Sequence, residues 1–251
     1  MISTIDWMVS KRRTDLLSED FEIGDGFLSP NEKQKLSWLR FAKRRTEWLH
    51  GRWTAKQLLS ASSPDWREVP FDEIEVANAA GGAPYYTSHE IELPICLSIS
   101  HRERMAFCAL SFSPGLKIGA DVEKIESYPA SFIETFFTQD EINSVKSCAP
   151  QQRDAWVVLV WSLKEAVLKA LGEGLRLDTR HIKIQPVSGL DAEDSMWRSI
   201  EIKLDLPITG QWMAWWLRQD DYLLTLAAHW MEGDRQFDIQ QQFCDAPPDW
   251  L

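Results

Sequence analysis

Residues 153–171 read RDAWVVLVWSLKEAVLKAL, the stretch of the chain with the clearest helical pattern. At about 100° per residue, one face of this helix is apolar and is expected to enter the core. That face consists of Trp156, Leu159, Leu163, Val167 and Ala170. Trp161, Glu165 and Leu168 fall on the opposite face. Because a merely solvated face does not usually carry both a Trp and a Leu, this second face is predicted to line a cleft.

A predicted strand from Lys117 to Glu123 lies upstream of this helix and contains two carboxylates. Alternate residues of a strand share a face, so Asp121 and Glu123 are expected to point the same way while Val122 enters the core. Two carboxylates on one face make a hard oxygen site suited to Mg²⁺. A solvated strand end is the alternative interpretation.

Other segments carry weaker patterns. Pro30 and Glu32 indicate a helix start, and residues 30–60 are predicted to be largely helical, with Gly51 marking a break or a close approach. Apolar or alternating runs predict strands at 74–76, 94–100, 105–110 and 182–184, and a closing hairpin from 212–217 and 222–230.

The sequence repeats faintly at a shift of 108 positions. Arg45, Trp48, Trp53 and Lys56 then fall on Arg153, Trp156, Trp161 and Lys164, and Ile74 and Val76 fall on Ile182 and Ile184. Just upstream, residues 28–32 resemble residues 137–141. A chance match in a Trp-rich chain is the alternative. A duplication predicts two similar α/β lobes, residues 1–125 and 126–232, with a ligand cleft between them and a peripheral tail at 233–251.

Charge and composition exclude some classes of protein. The 251 residues include 38 acidic and 27 basic side chains, a net charge of −11, which argues against a general nucleic-acid binder. Basic residues nevertheless crowd the segment from Lys33 to Lys56, which predicts a specific anionic ligand. No apolar run approaches the roughly 20 residues of a membrane helix. Four cysteines without a C-x-x-C pair and an N-terminus unlike a signal peptide favour a reduced, cytoplasmic setting.

Two short motifs are weak when taken alone. Ser100 and His101 follow an apolar strand, and a structural histidine is the alternative there. Glu165 and Lys169 are spaced i, i+4, which by itself is a helix-stabilising pair.

The ordered set of motifs is far more specific than any of its parts. It runs from Gly51-Arg52 through Gly82-Ala83-Pro84, Ser100-His101 and Gly-x-Asp-x-Glu at 119–123 to Trp-x-x-Lys-Glu-Ala-x-x-Lys-x-x-Gly-x-Gly-Leu at 161–175. Over residues 27–230 this order resembles the 4′-phosphopantetheinyl transferase superfamily, in particular its larger, monomeric, surfactin-synthetase-activating type.

The resemblance implies a fold and a reaction. The fold is α+β, with a pseudo-twofold pair of lobes and the ligand between them. The reaction is Mg²⁺-dependent transfer of the 4′-phosphopantetheine arm of coenzyme A to a serine of an apo acyl or peptidyl carrier protein, with release of 3′,5′-ADP. A non-catalytic module that binds coenzyme A or a carrier protein is the main alternative, and an unrelated metal-dependent phosphodiesterase is a third.

The resemblance also implies roles for individual residues. Asp121, Glu123 and Glu165 match the acidic metal site. Glu165 matches the base toward the serine, and Lys169 and Asp121 complete the catalytic set. The positions matching coenzyme A contacts are Lys43, Arg45, Arg52, Gly82, Ala83, Pro84, Ser100, His101, Lys164 and Lys169.

Three positions depart from the family pattern. Ala83 stands where lysine is usual, Ser98 where asparagine is usual, and Arg102 where a small hydroxyl residue is common. A phosphate contact is therefore missing or supplied elsewhere. The expected partner is an acidic, helical carrier protein, with no nucleic acid and no membrane. Phe132, Phe136 and Phe137 are its candidate docking residues, with burial in the core as the alternative.

Overall fold

The computed structural model describes residues 1–12, 26–187, 189–190 and 196–243, which form a mixed α+β structure. The α+β class is confirmed. Contacts divide the chain into two units, Met1–Pro114 with Arg235–Leu251, and Gly115–Asp234. Within the described residues, no helix is long and apolar enough to cross a membrane. The fourth cysteine and the last part of the predicted tail, residues 244–251, lie outside the described residues.

The first unit combines a four-stranded and a three-stranded sheet with helices. Its elements are β1 (Ile2–Lys11), α1 (Pro30–Trp38), α2 (Ala42–Ser62), α3 (Pro64–Arg67), β2 (Ile74–Asn78), β3 (Pro84–Ser88), β4 (Ile91–Glu92), β5 (Cys96–Arg102), β6 (Met105–Ser111) and, from the end of the chain, β13 (Gln236–Gln241). The strand orders are β13-β1-β6-β5 and β2-β3-β4. Helix α2 packs on β1, β5 and β6.

The second unit is built on another four-stranded sheet. Its elements are β7 (Lys117–Lys124), α4 (Ala130–Phe136), α5 (Gln139–Ser147), α6 (Pro150–Leu171), β8 (Ile182–Ile184), β9 (Arg198–Ile200), β10 (Ile202–Leu204), β11 (Gln211–Gln219) and β12 (Tyr222–Trp230). The strand orders are β7-β12-β11-β9 and β10-β8. Helix α6 packs on β7, β11 and β12. The predicted helix at 153–171 and the predicted hairpin are both confirmed.

The two units share one internal plan. In each, the first strand pairs antiparallel with the second strand of a closing hairpin, giving β1-β6-β5 in one unit and β7-β12-β11 in the other. In each, one long helix packs on those strands. The predicted pair of similar α/β units is therefore confirmed.

A buried ion pair in the second unit links three of its elements. Lys164 Nζ lies 2.7 Å from Glu141 Oε2 and donates a hydrogen bond of 2.9 Å to the Phe136 carbonyl oxygen. Glu141 also accepts from the Ile184 amide at 2.9 Å, and its carboxylate forms a capping box with Thr138 at the start of α5. One carboxylate thus joins α5, α6 and β8.

The first unit repeats these contacts at the matching positions. Lys56 Nζ is paired with Glu32 Oε2 and donates to the Phe27 carbonyl oxygen at 2.9 Å. Glu32 accepts from the Val76 amide at 3.0 Å and forms a capping box with Ser29 at the start of α1. The repeat noticed in the sequence is therefore a repeated set of buried contacts, not only a repeated order of elements.

The structure has two helices, α1 and α2, where the sequence predicted one helical stretch. The predicted helix over 30–60 is interrupted between Trp38 and Ala42, and Gly51 lies inside α2. A Cβ at Gly51 would lie 3.1 Å from Ile99 Cγ2, so this glycine marks a close approach of α2 to β5 rather than a break.

The predicted lobe boundaries differ from the observed units. Strand β7, which the sequence placed in the N-terminal lobe, pairs with β12 and belongs to the second unit. The tail is not peripheral, because β13 pairs in parallel with β1 from Ile2↔Gln236 to Trp7↔Gln241. Strand β1 itself was not predicted.

Helix α6 is buried on more sides than predicted. Leu168, expected on a face lining a cleft, is fully buried. The sheet covers one side of the helix, and α5 and β8 pack against it elsewhere. Trp161 and Glu165 are the half-buried members of that face.

Gly119 sets the distance between β7 and α6. A Cβ built there would lie 1.8 Å from the Ala166 carbonyl oxygen and 2.7 Å from the Ala170 amide nitrogen. Both atoms belong to the helix backbone, so no side-chain rotation can relieve the clash. The close approach brings Asp121 of β7 within reach of side chains on α6.

We therefore expect Gly119→Ala to lower the free energy of unfolding by about 1–3 kcal/mol or more, the usual range for overpacking. Urea unfolding followed by circular dichroism measures this change. Gly26→Ala is the matched control, because a Cβ there meets nothing within 4 Å, and it should change stability by less than about 0.5 kcal/mol. Equal stability of the two variants would contradict the packing argument.

Candidate functional site

A cavity of about 600 Å³ lies in the first unit, a volume typical of small-molecule sites. Its lining residues are Phe41, Lys43, Arg44, Glu47, Trp48, Gly51, Arg52, Asn78, Gly82, Pro84, Ile99 and His101. Three Lys and Arg side chains face one carboxylate, and aromatic and aliphatic groups form the remaining wall. Such a lining suits a ligand that is both anionic and partly planar or apolar.

Helix α2 and strand β5 position most of these side chains. Arg44, Trp48, Gly51 and their neighbours recur at spacings of three and four along α2, which places them on one helical face. Ile99 and His101 are two apart on β5 and share a face of that strand. The helix contributes the cations, and the strand contributes the imidazole opposite them.

Arg52 is the most buried cation of the cavity, with 6% of its surface exposed. Its guanidinium lies over the Trp48 ring, 4.8 Å from the centroid, and Nη2 donates to Asn78 Oδ1 at 2.6 Å. Its Nε is buried and has no hydrogen-bond partner among the described residues. Burial lowers the pKa of Arg52, but a guanidinium stays charged in a protein. The cavity therefore contains a fixed, incompletely paired positive charge.

Asn78 connects Arg52 to a second cation and to a turn. Its Oδ1 also accepts from Lys35 Nζ at 2.8 Å, and its Nδ2 donates to the Gly82 carbonyl oxygen at 2.8 Å. Gly82 has a φ of 92°, a conformation that favours glycine, and its amide donates to the Ala79 carbonyl oxygen. Asn78 thus fixes both cations relative to the turn at 79–84.

The structure gathers five of the predicted coenzyme A contacts around this cavity: Lys43, Arg52, Gly82, Pro84 and His101. Arg45 does not line the cavity, and Ala83 lies between two lining residues without lining the cavity itself. Ser100 is buried and does not line the cavity, because neighbouring residues of a strand point to opposite faces.

Arg44 lines the cavity and belongs to the basic segment that was predicted to bind an anion, but it was not among the predicted coenzyme A contacts. Sequence reasoning assigned no role in the site to the other additional lining residues, which are Phe41, Glu47, Trp48, Asn78 and Ile99. Helical spacing from Arg52 and strand alternation from His101 were available signals for Arg44, Trp48 and Ile99. Asn78 carries no comparable signal, since its role depends on the approach of α1 and the turn at 79–84.

The acidic residues lie in the second unit. Asp121, buried on β7, accepts from Ser162 Oγ at 2.8 Å and from Lys169 Nζ at 2.7 Å. Lys169 also donates to the Ala120 carbonyl oxygen at 3.0 Å, and Ser162 shares a 2.8 Å hydrogen bond with Thr225. Asp121 is therefore held from β7, α6 and β12, and Lys169 is held beside it with 29% of its side chain exposed.

Glu165 lies one helical turn before Lys169. Burial raises the pKa of its carboxyl group, the negative charge of Asp121 raises it further, and Lys169 lowers it. Its Oε1 is buried and has no hydrogen-bond partner among the described residues. An acid with a raised pKa and an open oxygen is suited to accept a proton or a cation.

The three predicted metal ligands are not gathered into one cluster. Within the described residues, no group of three or more His, Cys, Asp or Glu side chains is arranged to hold a metal ion. Lys169 supplies the positive charge beside Asp121 instead. The pair Asp121 and Glu165 does fit a divalent cation, because both offer carboxylate oxygens. The Oε1 atom of Glu165 has no hydrogen-bond partner among the described residues, and the two carboxylates are close enough for the charge of Asp121 to raise the pKa of Glu165.

Lys164 has a different place from the one expected. It was predicted to contact coenzyme A, yet its side chain is fully buried and paired with Glu141. The helix turns it toward α5 and β8, while Glu165 and Lys169 point elsewhere. Its position is that of Lys56 in the first unit, which is a structural residue by the same contacts.

The fold and these residues define an α+β protein with a cavity lined by three cationic side chains and with a pair of interacting carboxylates. Residues 117–227 match the family model of the 4′-phosphopantetheinyl transferase superfamily. Through this region, which is a little under half of the chain, the protein is similar to that superfamily. The match includes β7, α6 and most of the closing hairpin, and hence Asp121, Glu165 and Lys169.

Two curated relatives carry names of this class. An L-aminoadipate-semialdehyde dehydrogenase-phosphopantetheinyl transferase from Xenopus laevis is 26% identical over 204 residues, which cover 71% of this chain and 65% of that protein. A 4′-phosphopantetheinyl transferase from Paxillus involutus is 31% identical over 136 residues, covering 47% of this chain and 51% of that protein. The chain thus spans less than two thirds of the length of each.

A solved structure gives a partial likeness. A holo-(acyl-carrier-protein) synthase from Bacillus anthracis, in complex with CoA (3′,5′-ADP), is 17% identical with a TM-score of 0.38, covering 46% of this chain and 96% of that one. This likeness concerns the fold alone.

Proposed function

We propose that this protein transfers the 4′-phosphopantetheine group of coenzyme A to a serine of an apo acyl or peptidyl carrier protein and releases 3′,5′-ADP. The observation that carries the proposal is the arrangement of Asp121, Glu165 and Lys169 within the region that matches the superfamily. The proposal includes a monomeric enzyme, as the resemblance in sequence implies, in a cytoplasmic setting, as the cysteine pattern favours.

The cavity of the first unit is the proposed site for the nucleotide end of coenzyme A. Phosphate groups would meet Lys43, Arg52 and His101, while the Trp48 and Pro84 walls suit a planar base. Charge complementarity supports this role, because three Lys and Arg side chains line the cavity in a protein whose overall charge is −11. Arg45, Ala83 and Ser100 do not line the cavity and are left out of this proposed contact set.

The carboxylates and Lys169 are the proposed chemical centre. The serine oxygen of the carrier forms a bond to the phosphorus that bears pantetheine, and the anhydride bond to the second phosphate breaks. Glu165, whose Oε1 has no hydrogen-bond partner among the described residues, accepts the serine proton. Lys169, held by Asp121 and the Ala120 carbonyl oxygen, stabilises the charge that develops on the phosphate oxygens.

Asp121 and Glu165 are the residues that would hold a Mg²⁺ ion; Glu123, predicted with them, is not grouped with them among the described residues. The ion would supply positive charge against the pyrophosphate. Asp121 is oriented for this role by Ser162, which itself is fixed by Thr225. Such outer hydrogen bonds commonly tune metal ligands.

An aromatic surface of the second unit is the proposed contact for the carrier protein. Phe132 packs against Phe136 and Trp161 with ring centroids 4.9 Å away in each case, and all three rings are half-buried. Phe137, predicted with them, is 2% exposed and belongs to the core. Half-buried aromatic groups are favoured at protein interfaces.

Intact-mass spectrometry tests the proposed reaction. The protein is incubated with coenzyme A, Mg²⁺ and a panel of small apo carrier proteins, with and without EDTA. A carrier that gains the mass of one phosphopantetheine group, and fails to gain it with EDTA, is the expected result. No gain on any carrier together with intact coenzyme A binding by calorimetry would favour a non-catalytic binding module. The absence of both transfer and coenzyme A binding would overturn the proposal.

His101 offers a separate prediction for the cavity. We expect His101→Ala to raise the Kd of coenzyme A about tenfold, since one hydrogen bond to a charged group is lost. Isothermal titration calorimetry measures this change. His89→Ala is the control, because His89 is exposed on the same unit and does not line the cavity. An unchanged Kd would return His101 to a structural role.

A further inference from the structure

The buried lysines of the two units differ in one contact. In the first unit, Lys56 Nζ donates to two backbone carbonyl oxygens, those of Phe27 and Phe71, at 2.9 Å each. The shifts that align the two units place Phe136 at the position of Phe27 and Thr179 at the position of Phe71. Phe71 and Thr179 each begin a short 3₁₀ turn that leads into a strand, β2 in one unit and β8 in the other. Thr179 is therefore the second unit's counterpart of Phe71.

The second unit makes the corresponding contact with a side chain instead of a backbone group. Among the described residues, Lys164 Nζ has two hydrogen-bond partners, Glu141 and the Phe136 carbonyl oxygen. Thr179 Oγ1 donates to that same carbonyl oxygen at 2.7 Å. A carbonyl oxygen has two lone pairs, so the lysine and the threonine together satisfy it. Thr179 is 3% exposed, so its hydroxyl group donates inside the protein rather than to water.

The carbonyl oxygen that Thr179 contacts lies at the end of α4. This helix has seven residues, none of which is buried. The last carbonyl groups of a helix have no partner within it, and a helix this short is marginal alone, so contacts with other elements decide its position. Lys164 of α6 and Thr179 supply two of those contacts at one atom. Thr179 thus ties the end of α4 to the turn that precedes β8.

The residue that Thr179 holds belongs to the aromatic surface. Phe136 is half-buried, and its ring centroid lies 4.9 Å from that of Phe132 and 5.1 Å from that of Trp161. Phe132 is also on α4, whereas Trp161 is on α6. A shift of α4 would therefore move the two phenylalanine rings relative to the tryptophan ring. Because protein interfaces depend on close shape complementarity and on preorganisation, a fixed α4 favours binding at this surface.

We propose that Thr179 is a positioning residue for carrier-protein recognition: its hydrogen bond to the Phe136 carbonyl oxygen fixes α4, and with it the aromatic surface that the carrier contacts. The inference rests on the proposed function, which makes a carrier protein the partner of this surface. It adds a buried residue outside the surface, one that acts on recognition of the carrier and not on the transfer step.

The kinetic test compares wild type with Thr179→Val, Thr179→Ser and Thr54→Val at saturating coenzyme A, with an apo carrier protein that the wild type modifies. Valine has nearly the shape of threonine and lacks its hydroxyl group. We expect Thr179→Val to raise the KM for the carrier about fivefold, because one hydrogen bond is lost, with kcat and the Kd of coenzyme A unchanged. Thr179→Ser keeps the hydroxyl group and should recover most of the difference. Thr54 is the matched control, a fully buried threonine of the first unit that donates to the His50 carbonyl oxygen at 2.8 Å, and Thr54→Val should leave the carrier KM unchanged.

Hydrogen exchange followed by mass spectrometry tests the anchor without any carrier. The amides of α4 should exchange about fivefold faster in Thr179→Val than in the wild type, while those of α6 keep their protection. Unchanged exchange in α4 would overturn the proposal, and so would a loosened α4 with an unchanged carrier KM. A fall in kcat at constant KM would also overturn it, because Thr179 would then act on the transfer step. A wild-type protein that modifies no carrier would contradict the proposed function and with it the role of the carrier here, whereas the exchange result decides separately whether Thr179 fixes α4.

Discussion

Replacing Asp121 with asparagine is expected to reduce phosphopantetheine transfer at least about a hundredfold, the scale on which a single electrostatic group in an active site acts. Asparagine keeps the shape of the side chain and an oxygen for Ser162. It removes the charge that holds Lys169 at 2.7 Å and that would hold a divalent cation together with Glu165. Initial rates with a carrier protein found active by mass spectrometry measure the loss.

The matched control for this variant is Asp221→Asn. Asp221 lies beside the same sheet, 3.9 Å from Lys124, with 55% of its side chain exposed. It should retain wild-type rates, because an exposed ion pair contributes little to either stability or chemistry. Circular dichroism should show both variants folded. An Asp121→Asn protein that turns over normally at low Mg²⁺ would remove Asp121 from the catalytic set.

The sequence predicted helices and strands correctly where the structure depends on residues that are close together along the chain. The 3.6-residue pattern of 153–171 and the alternation at 117–123 correspond to α6 and β7. The pairing of β13 with β1 joins residues more than 200 positions apart, as in Ile2↔Gln236. No local pattern encodes such a pairing, and a polar segment near the end of the chain was therefore predicted to be peripheral.

The same distinction applies to the site. The motifs identified which residue types belong together, and the structure places five of the predicted contacts around one cavity. Spacing alone could not separate Lys164 from Lys169, because both flank the same predicted polar face. What separates them is the partner each one meets, Glu141 on α5 for Lys164 and Asp121 on β7 for Lys169. The residue that a side chain meets on another element depends on the tertiary structure and cannot be predicted from spacing along one helix.

Replacing Lys164 with methionine is expected to lower the free energy of unfolding by about 3–5 kcal/mol, because it leaves the buried Glu141 carboxylate without its cation. That is a large part of the roughly 5–15 kcal/mol that stabilises a typical domain. Lys56→Met should have an effect of similar size, since Glu32 would lose its partner in the same arrangement. Urea unfolding followed by tryptophan fluorescence measures both changes.

Lys183→Met provides the comparison for an exposed pair. Lys183 lies 3.3 Å from Asp205, with 44% and 72% of the two side chains exposed, and its loss should cost less than about 1 kcal/mol. If Lys164→Met instead unfolds like the wild type but no longer binds coenzyme A, Lys164 is a ligand residue, as its place in the sequence motif implied. A large loss of stability, similar to that of Lys56→Met, would instead show that Lys164 is a structural residue. In that case the lysine before Glu165 anchors α6 to α5 and β8, and this anchor fixes the helix that carries Glu165.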